Sequence, residues 1–401
     1  MRTLLLIVAL LGLAGQPPQR EVIRRSVTYV STDVNVRDER GRFVPTLRQA
    51  DFEVYEDGVK QEIVRFVLTH GGRVLSDIPP AAAAQEGLLL PPIRPTNDSS
   101  GRVLLIFLDD QHIEFHQTAA VRDLLKKVSV ELVHEGDLFG IVSTGPSSIA
   151  VDMTYDRKRL DEAISKISGN GLAPSEIIGA PEGSQGPPEV RFRAHTAFST
   201  AYEILQKLEQ IHNRRKAFIY ISGGYDFDPF AKSRAKASRD RYSSMTGASG
   251  DSSQVPDTNP FSKTGNQFAA ADLAAELSEL TREANRANTV IYTIDPRGLV
   301  GGPALDQTTL DSSDWQDHVR ETQSSLRVIA ELTGGIAGVN TNNFTGLLKR
   351  IDNDTSDYYV LGYNSSNPDP LKKRRTIEIR VKQKPKLQLT YKTSYTLRPE
   401  R

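Results

Sequence analysis

The chain of 401 residues contains no cysteine. That removes disulfides, thiolate metal sites and cysteine nucleophiles together. It also carries no net charge, since 50 Lys and Arg balance 50 Asp and Glu. A neutral chain has no electrostatic draw toward nucleic acid or an anionic membrane, so neither is expected as its main partner. Long apolar runs are missing too. Leu4 to Ala14 (LLLIVALLGLA) stops at 11 residues, where a helix needs about 20 to cross a bilayer. The sequence has no G-x-S-x-G elbow and no P-loop. Its 7 histidines are scattered, and no Ser–His–Asp set stands out among them.

The short apolar run has a context. Met1-Arg2-Thr3 supplies a positive start, and small residues follow at Gly12, Ala14 and Gly15. That order is a secretory signal peptide over residues 1–15. Without a cysteine after it, no lipid anchor is expected. The mature chain is therefore expected outside the cytoplasm, secreted or in the periplasm or cell envelope, with no membrane span once the signal is removed. An exported chain without disulfides is held by its cores alone, which suits a bacterial envelope protein.

Residues 22–70 read as the first part of a small antiparallel β domain. Apolar and polar residues alternate through Val27, Tyr29, Val34 and Val36. Turn compositions fall at Asp38–Gly41 and at Glu56-Asp57-Gly58. So short a piece does not bury enough apolar surface to fold alone and needs a partner elsewhere in the chain. Residues 71–101 are rich in Pro, Ala and Ser and read as a linker.

Strands and helices then alternate over 102–345. RVLLIFLDDQH is a buried strand ending in two acids, and TAAVRDLLKKVSVELV carries apolar residues at helical spacing. Later come LFGIVSTG, TAFSTAYEILQKLEQI, KAFIYIS, AAADLAAELSELTREANRAN, TVIYTID and SLRVIAELTGG. This alternation predicts an α/β domain with a doubly wound, mostly parallel sheet. Two polar interruptions, 170–191 and 228–267, are expected to be mobile inserts. Past them the β pattern returns over 353–398 in three strands: DYYVLGYNSS, RRTIEIRVKQ and LQLTYKTSYTL. Tyr358, Tyr359 and Tyr363 fit the alternating faces of the first. The two β segments together predict one antiparallel β-sandwich domain with the α/β domain inserted between its halves.

The segments VNVRDERGRFVPTLRQADFEVYEDGVKQEI, LLIFLDDQH, RRKAFIYISGGYD, VIYTIDPRGL, IAELTGG and DYYVLGYNSS occur in that order. In that combination the chain resembles the von Willebrand factor A-related proteins of the acidobacterial type, over nearly all its length after the leader. The resemblance implies an exported von Willebrand A-like domain on a β support. It also implies a place for a divalent cation at the carboxyl edge of the sheet, held by an Asp-x-Ser-x-Ser loop, a Thr and a further Asp.

Set against that pattern, the first Asp is Asp109. The two Ser positions fall on Gln111 and Ile113, the Thr on Thr196, and the third-loop Asp on Gly223, with Asp226 nearby. Most of the oxygen donors are replaced, so no cofactor is expected. The alternative is a remodelled site for Mg²⁺ or another divalent cation, built from Asp109, Asp110, Thr196 and Asp226 with waters, although Mg²⁺ demands near-octahedral oxygen geometry. Without a cation, Asp109 and Asp110 are expected to be solvated, to cap the following helix and to accept from loop amides. HIEFH places His112 and His116 four apart, but its Glu is one position away from the metalloprotease spacing, and no third ligand is evident.

The leading expectation is a non-enzymatic, adhesion-type protein that meets an unidentified protein partner through loops at the upper edge of the sheet. The residues expected there are Asp109, Asp110, Gln111, His112, Thr196 and Asp226. Cation-dependent adhesion is the second reading. A secreted hydrolase using the same acids is the third.

Overall fold

The computed structural model describes residues 29–71, 73–78, 102–180, 187–211, 214–246, 260–301, 310–366, 372, 374–382 and 386–396. The expected signal peptide lies outside the described residues.

From the N-terminus come β1 (Tyr29–Arg37), β2 (Phe52–Glu56), β3 (Val59–Gln61), β4 (Ile63–His70) and β5 (Arg73–Ile78). The β2–β3 turn is Asp57-Gly58, both at positive φ, which is the two-residue hairpin geometry that Asp-Gly favours. Strand β5 falls in the stretch expected as linker. It pairs antiparallel with β4, because its alternating residues extend the sheet before the Pro/Ala-rich composition begins. Residues 79–101 lie outside the described part.

The middle of the chain runs β6 (Val103–Leu108), α1 (Thr118–Glu131), β7 (Leu138–Ser143), β8 (Ala150–Thr154), α2 (Arg157–Ser165), α3 (Pro174–Gly179), α4 (Pro188–Glu209) and β9 (Lys216–Ile221). Then follow α5 (Ala231–Thr246), α6 (Pro260–Arg286), β10 (Thr289–Ile294), α7 (Ser312–Thr333), β11 (Ala337–Gly338) and α8 (Phe344–Ser356). The six-stranded sheet has the order β11-β10-β9-β6-β7-β8. Every pairing is parallel except β7 with β8 at one edge.

Helices flank both faces. Leu104, Ile106 and Leu108 of β6 pack with α1, α2 and α8. Val103, Leu105 and Phe107 pack with α4 and α6. A strand buried on both sides has no polar face, hence the unbroken VLLIFL. Each full burial of such a side chain stabilises the fold by about 1.5–3 kcal/mol.

The chain ends with β12 (Tyr358–Asn364), β13 (Arg374–Val381), β14 (Gln388–Tyr391) and β15 (Ser394–Thr396). The run LQLTYKTSYTL, expected as one strand, is two. Strand β14 joins β1 and β15 joins β13. The break at Lys392-Thr393 lets the chain pass between sheets, and the Ile377 amide takes the Thr393 carbonyl at 2.7 Å. Two antiparallel sheets result, β14-β1-β12-β4-β5 and β15-β13-β2-β3, each with strands from both ends of the chain. They share one core containing Val34, Phe52, Val54, Phe66, Tyr359 and Ile379.

The inserts expected to be mobile carry helices. Within 170–191, α3 begins at Pro174 and α4 at Pro188. Prolines that suggested a loop occupy the first helical position, where the missing N–H costs nothing. Within 228–267, α5 has few aliphatic residues, but its Ala, Lys and Arg are strong helix formers. Phe230 anchors this segment in a small cluster with Ile177 and Ile178. The sequence reading assigned no element to the segment between α7 and β12. It is α8, capped by the Asn343 side chain and buried through Leu347, Leu348 and Ile351.

Two arginines tie the amino ends of the parallel strands to their surroundings, Arg102 to α8 and Arg215 to the antiparallel strand β1. Arg102 grips Asp137 through Nε (3.2 Å) and Nη2 (2.6 Å). Its Nη1 reaches Asp352 and Thr355 of α8, both at 2.7 Å. Arg215, just before β9, donates to Asp33 of β1 at 2.6 Å and lies over the Tyr358 ring. Removing one member of a buried pair strands the other charge. Arg102→Ala is therefore expected to lower the free energy of unfolding by about 3–5 kcal/mol in urea titration. Lys126→Ala, in an exposed pair with Asp123, is expected to cost less than about 1 kcal/mol.

Candidate functional site

The sheet register builds one row of residues at the carboxyl edge. Leu108 pairs with Ser143 on one side and Ile221 on the other, and Ile221 pairs with Ile294. The next residue on each strand is therefore Thr144, Asp109, Ser222 or Asp295. Polar residues placed one step beyond buried apolar strands are where an open α/β sheet gathers a site.

Asp109 has no exposed surface. Its Oδ2 accepts from Ser222 Oγ at 2.8 Å and from the Tyr225 hydroxyl at 2.6 Å. Its Oδ1 accepts from Thr144 Oγ1 at 3.0 Å, and His112 Nδ1 lies 3.0 Å from the same oxygen. Tyr225 is held in turn by Tyr220, whose hydroxyl bonds to its own, and by the edge of the His112 ring. Burial pushes the Asp109 carboxyl up. The charge and hydrogen bond of His112, with the donors Tyr225 and Ser222, outweigh it and leave the pKa below the ordinary value.

Asp110 is buried as well. Its Oδ2 accepts from the Ser147 amide at 2.9 Å and its Oδ1 from Thr144 at 3.2 Å. Burial raises its pKa and the Asp109 charge adds to that, against the Ser147 hydrogen bonds. Two neighbouring acids are thus driven in opposite directions.

These positions correct the expectation that both acids are solvated and cap a helix. Asp109 precedes a short 3-10 turn, Asp110–His112, but makes no side-chain cap to it. Both carboxylates turn inward to hydroxyls and a loop amide. Gln111 Nε2 donates to the Thr144 carbonyl at 2.7 Å, and His112 reaches the surface in part. Thr196 does not join them: midway along α4, its Oγ1 donates back to the Phe192 carbonyl at 2.8 Å. Asp226 is also held elsewhere, by His318 Nδ1 of α7 at 2.8 Å. Of the residues expected at one site, Asp109, Asp110, Gln111 and His112 gather at the strand end, Asp226 joins Gln111 and His112 only in lining the cleft beside it, and Thr196 makes other contacts.

Thr144, Ser222 and Tyr225 were not anticipated. Their signal was positional, since each follows a buried strand directly or by a few residues. Gly223 occupies the third-loop position because no side chain fits there. A Cβ would lie 2.3 Å from the His112 carbonyl oxygen, to which the Gly223 amide donates at 3.1 Å. Gly224 has φ +83°, and a Cβ would lie 2.1 Å from the Thr322 carbonyl oxygen. Among the described residues, no three His, Asp or Glu side chains converge in a metal-binding cluster.

Beside the buried acids lies an open cleft of about 80 Å³. Its polar lining includes Gln111, His112, Glu114, Arg193, Asp226, Arg297 and His318. Leu172, Ile177, Val190 and Phe230 form an apolar wall. Segments expected to be mobile inserts therefore supply part of the cleft.

No family model matches the chain, and no curated protein does. Among solved structures the chain is similar to the manganese-loaded TRAP protein of Plasmodium vivax, with 9% identity over 73% of this chain and 93% of that one and a TM-score of 0.27. So slight an overlap carries no argument. Among the described residues no helix is long and apolar enough to cross a membrane.

The opposite environments of the two acids predict opposite mutational effects. Asp109→Asn leaves buried donors without their carboxylate and is expected to cost about 1–3 kcal/mol at neutral pH. Asp110→Asn removes a charge that burial disfavours and is expected to leave the melting temperature at or above that of the parent. The pH dependence follows the same signs. The contribution of Asp109 is present above its unfolded pKa and is lost as pH falls through its lower native value. Asp110, raised in the native state, penalises the fold as pH rises through its native value. Melting curves of both variants across acid to neutral pH check this.

Proposed function

We propose that the protein is an exported, non-enzymatic interaction protein. Its von Willebrand A-like domain binds a protein partner through the carboxyl edge of the sheet, by side-chain contact and without a bridging cation. One observation supports this above the others. The acids at that edge face inward while three large apolar side chains face solvent: Phe115 is 74% exposed, Phe192 63% and Leu299 59%. Phe115 follows β6, Phe192 begins α4 and Leu299 follows β10, so all three belong to the same end of the sheet as the cleft. Exposed apolar side chains at the end of the sheet that also holds a cleft suit a contact surface.

A resident divalent cation fits this reading poorly. Mg²⁺ at Asp109 would have to displace Tyr225, Ser222, Thr144 and His112 from a fully buried carboxylate, and it demands near-octahedral oxygen ligation. The His112 ring already stands 3.0 Å from Oδ1 of that carboxylate, where a cation would have to sit. Ser222 and the Asp109 carboxylate it donates to are both fully buried, out of reach of a substrate.

The test uses the full chain. Phe115→Ser combined with Phe192→Ser is expected to abolish capture of the partner from an extract of the native envelope while leaving the melting temperature unchanged. Undiminished capture would sink the reading. In titration calorimetry Mg²⁺, Mn²⁺ and Ca²⁺ are expected to give no binding heat. Heat that vanishes in Asp109→Asn would favour cation-dependent adhesion instead.

A further inference from the structure

The charged side chains lining the cleft differ in how firmly they are paired. Arg193 is paired with Glu189 at 2.7 Å and donates to the Asn170 carbonyl. Arg297 is held by both oxygens of Asp295 at 2.9 Å and by Thr322 at 3.0 Å. His318 is matched to Asp226, and His112 to Asp109. Every cationic or potentially cationic group in the lining thus has a carboxylate of its own. Glu114 is the less firmly paired of the two carboxylates in the lining. The ion pair found for it is with His116 at 3.5 Å, longer than a good hydrogen bond, and the His116 side chain is itself mostly exposed. The Glu114 side chain lines the cleft and is only a quarter exposed.

Resting on the interaction reading above, we infer that the cleft receives a basic side chain, a lysine or arginine, of the protein partner, with Glu114 as its counter-ion. The shape of the cleft agrees with that chemistry. Lys and Arg carry an apolar stem below a charged head, and Leu172, Ile177, Val190 and Phe230 offer an apolar wall alongside Glu114. An acidic side chain entering the same space would meet guanidinium groups already engaged in short ion pairs and a Glu114 carboxylate that repels it. Burial raises the Glu114 pKa, against the charges of His116, Arg297 and His318. A carboxylate in that condition gains from an incoming cation.

Three blocked tripeptides probe this by titration against the full chain: Phe-Lys-Phe, Phe-norleucine-Phe and Phe-Glu-Phe, the aromatic residues placed to meet Phe192, which is exposed next to the lining residue Arg193. The lysine peptide is expected to bind at least about tenfold more tightly than the other two, the scale of one charge-assisted hydrogen bond. Glu114→Gln is expected to erase that preference while the melting temperature holds. Phe192→Ser is expected to weaken all three peptides alike.

Equal affinity for the three peptides, preference for the glutamate peptide, or no binding of the lysine peptide at millimolar concentration overturns the inference. If peptide charge has no effect but Phe192→Ser still abolishes partner capture, the inference fails alone and the interaction reading stands. If neither Phe192→Ser nor Glu114→Gln alters capture, both fail. Binding of free cadaverine as tight as that of the lysine peptide would identify a small-amine site and would also overturn the peptide partner.

Discussion

A carboxylate with no access to water must find its donors inside the protein, and Asp109 sets that demand at the centre of the sheet's carboxyl edge. An unmatched buried charge costs several kcal/mol. Hydroxyls from the ends of β7 and β9, the Tyr225 phenol and the His112 ring all converge on it. Meeting that demand shapes the surroundings. The loop after β9 must pass against the His112 carbonyl and the Thr322 backbone, which excludes side chains at Gly223 and Gly224. Thr144 is shared with Asp110, tying the β7 loop to the same point. Phe115, Phe192 and Leu299 stay exposed at the same end of the sheet as the cleft.

The parallel sheet is braced from below by a second set of buried charges. Arg102 and Arg215 lie at the amino ends of β6 and β9, opposite the edge that carries Asp109. Through Asp33, Asp352 and Thr355 they bind the sheet to β1 and to α8, which leads directly into β12. The two antiparallel sheets draw strands from both ends of the chain, so the α/β portion is anchored at its entry and its exit. The upper edge of the sheet then sits on a scaffold fixed from the other end.

Much of the fold was legible where one physical effect dominates. The unbroken apolar runs of β6 and β9 could only be doubly buried strands, and Asp57-Gly58 could only be a tight turn. The sequence was misleading where composition has two meanings. Pro174 and Pro188 suggested loops because proline breaks helices, yet at a first helical position it starts them. In α5 the scarcity of aliphatic residues hid strong intrinsic helix propensity, and Phe230 alone gave it an anchor in the core. LQLTYKTSYTL alternated well enough to be one strand, and nothing local showed that its halves belong to different sheets.

At the site, local chemistry and spatial arrangement separate in the same way. The sequence alone determined that Asp109 and Asp110 end a buried strand, because an unbroken apolar run leads straight into two acids. Only the tertiary structure decided which groups meet those acids. Thr144 was chosen over Thr196 because parallel register sets the end of β7 beside Asp109, whereas the helical back-bond of Thr196 satisfies its hydroxyl elsewhere. The balance between Glu114 and the paired cations of the cleft is likewise a matter of distance. Those side chains come from loops and helices far apart in the chain, and a sequence records their charges without recording which of them are already neutralised.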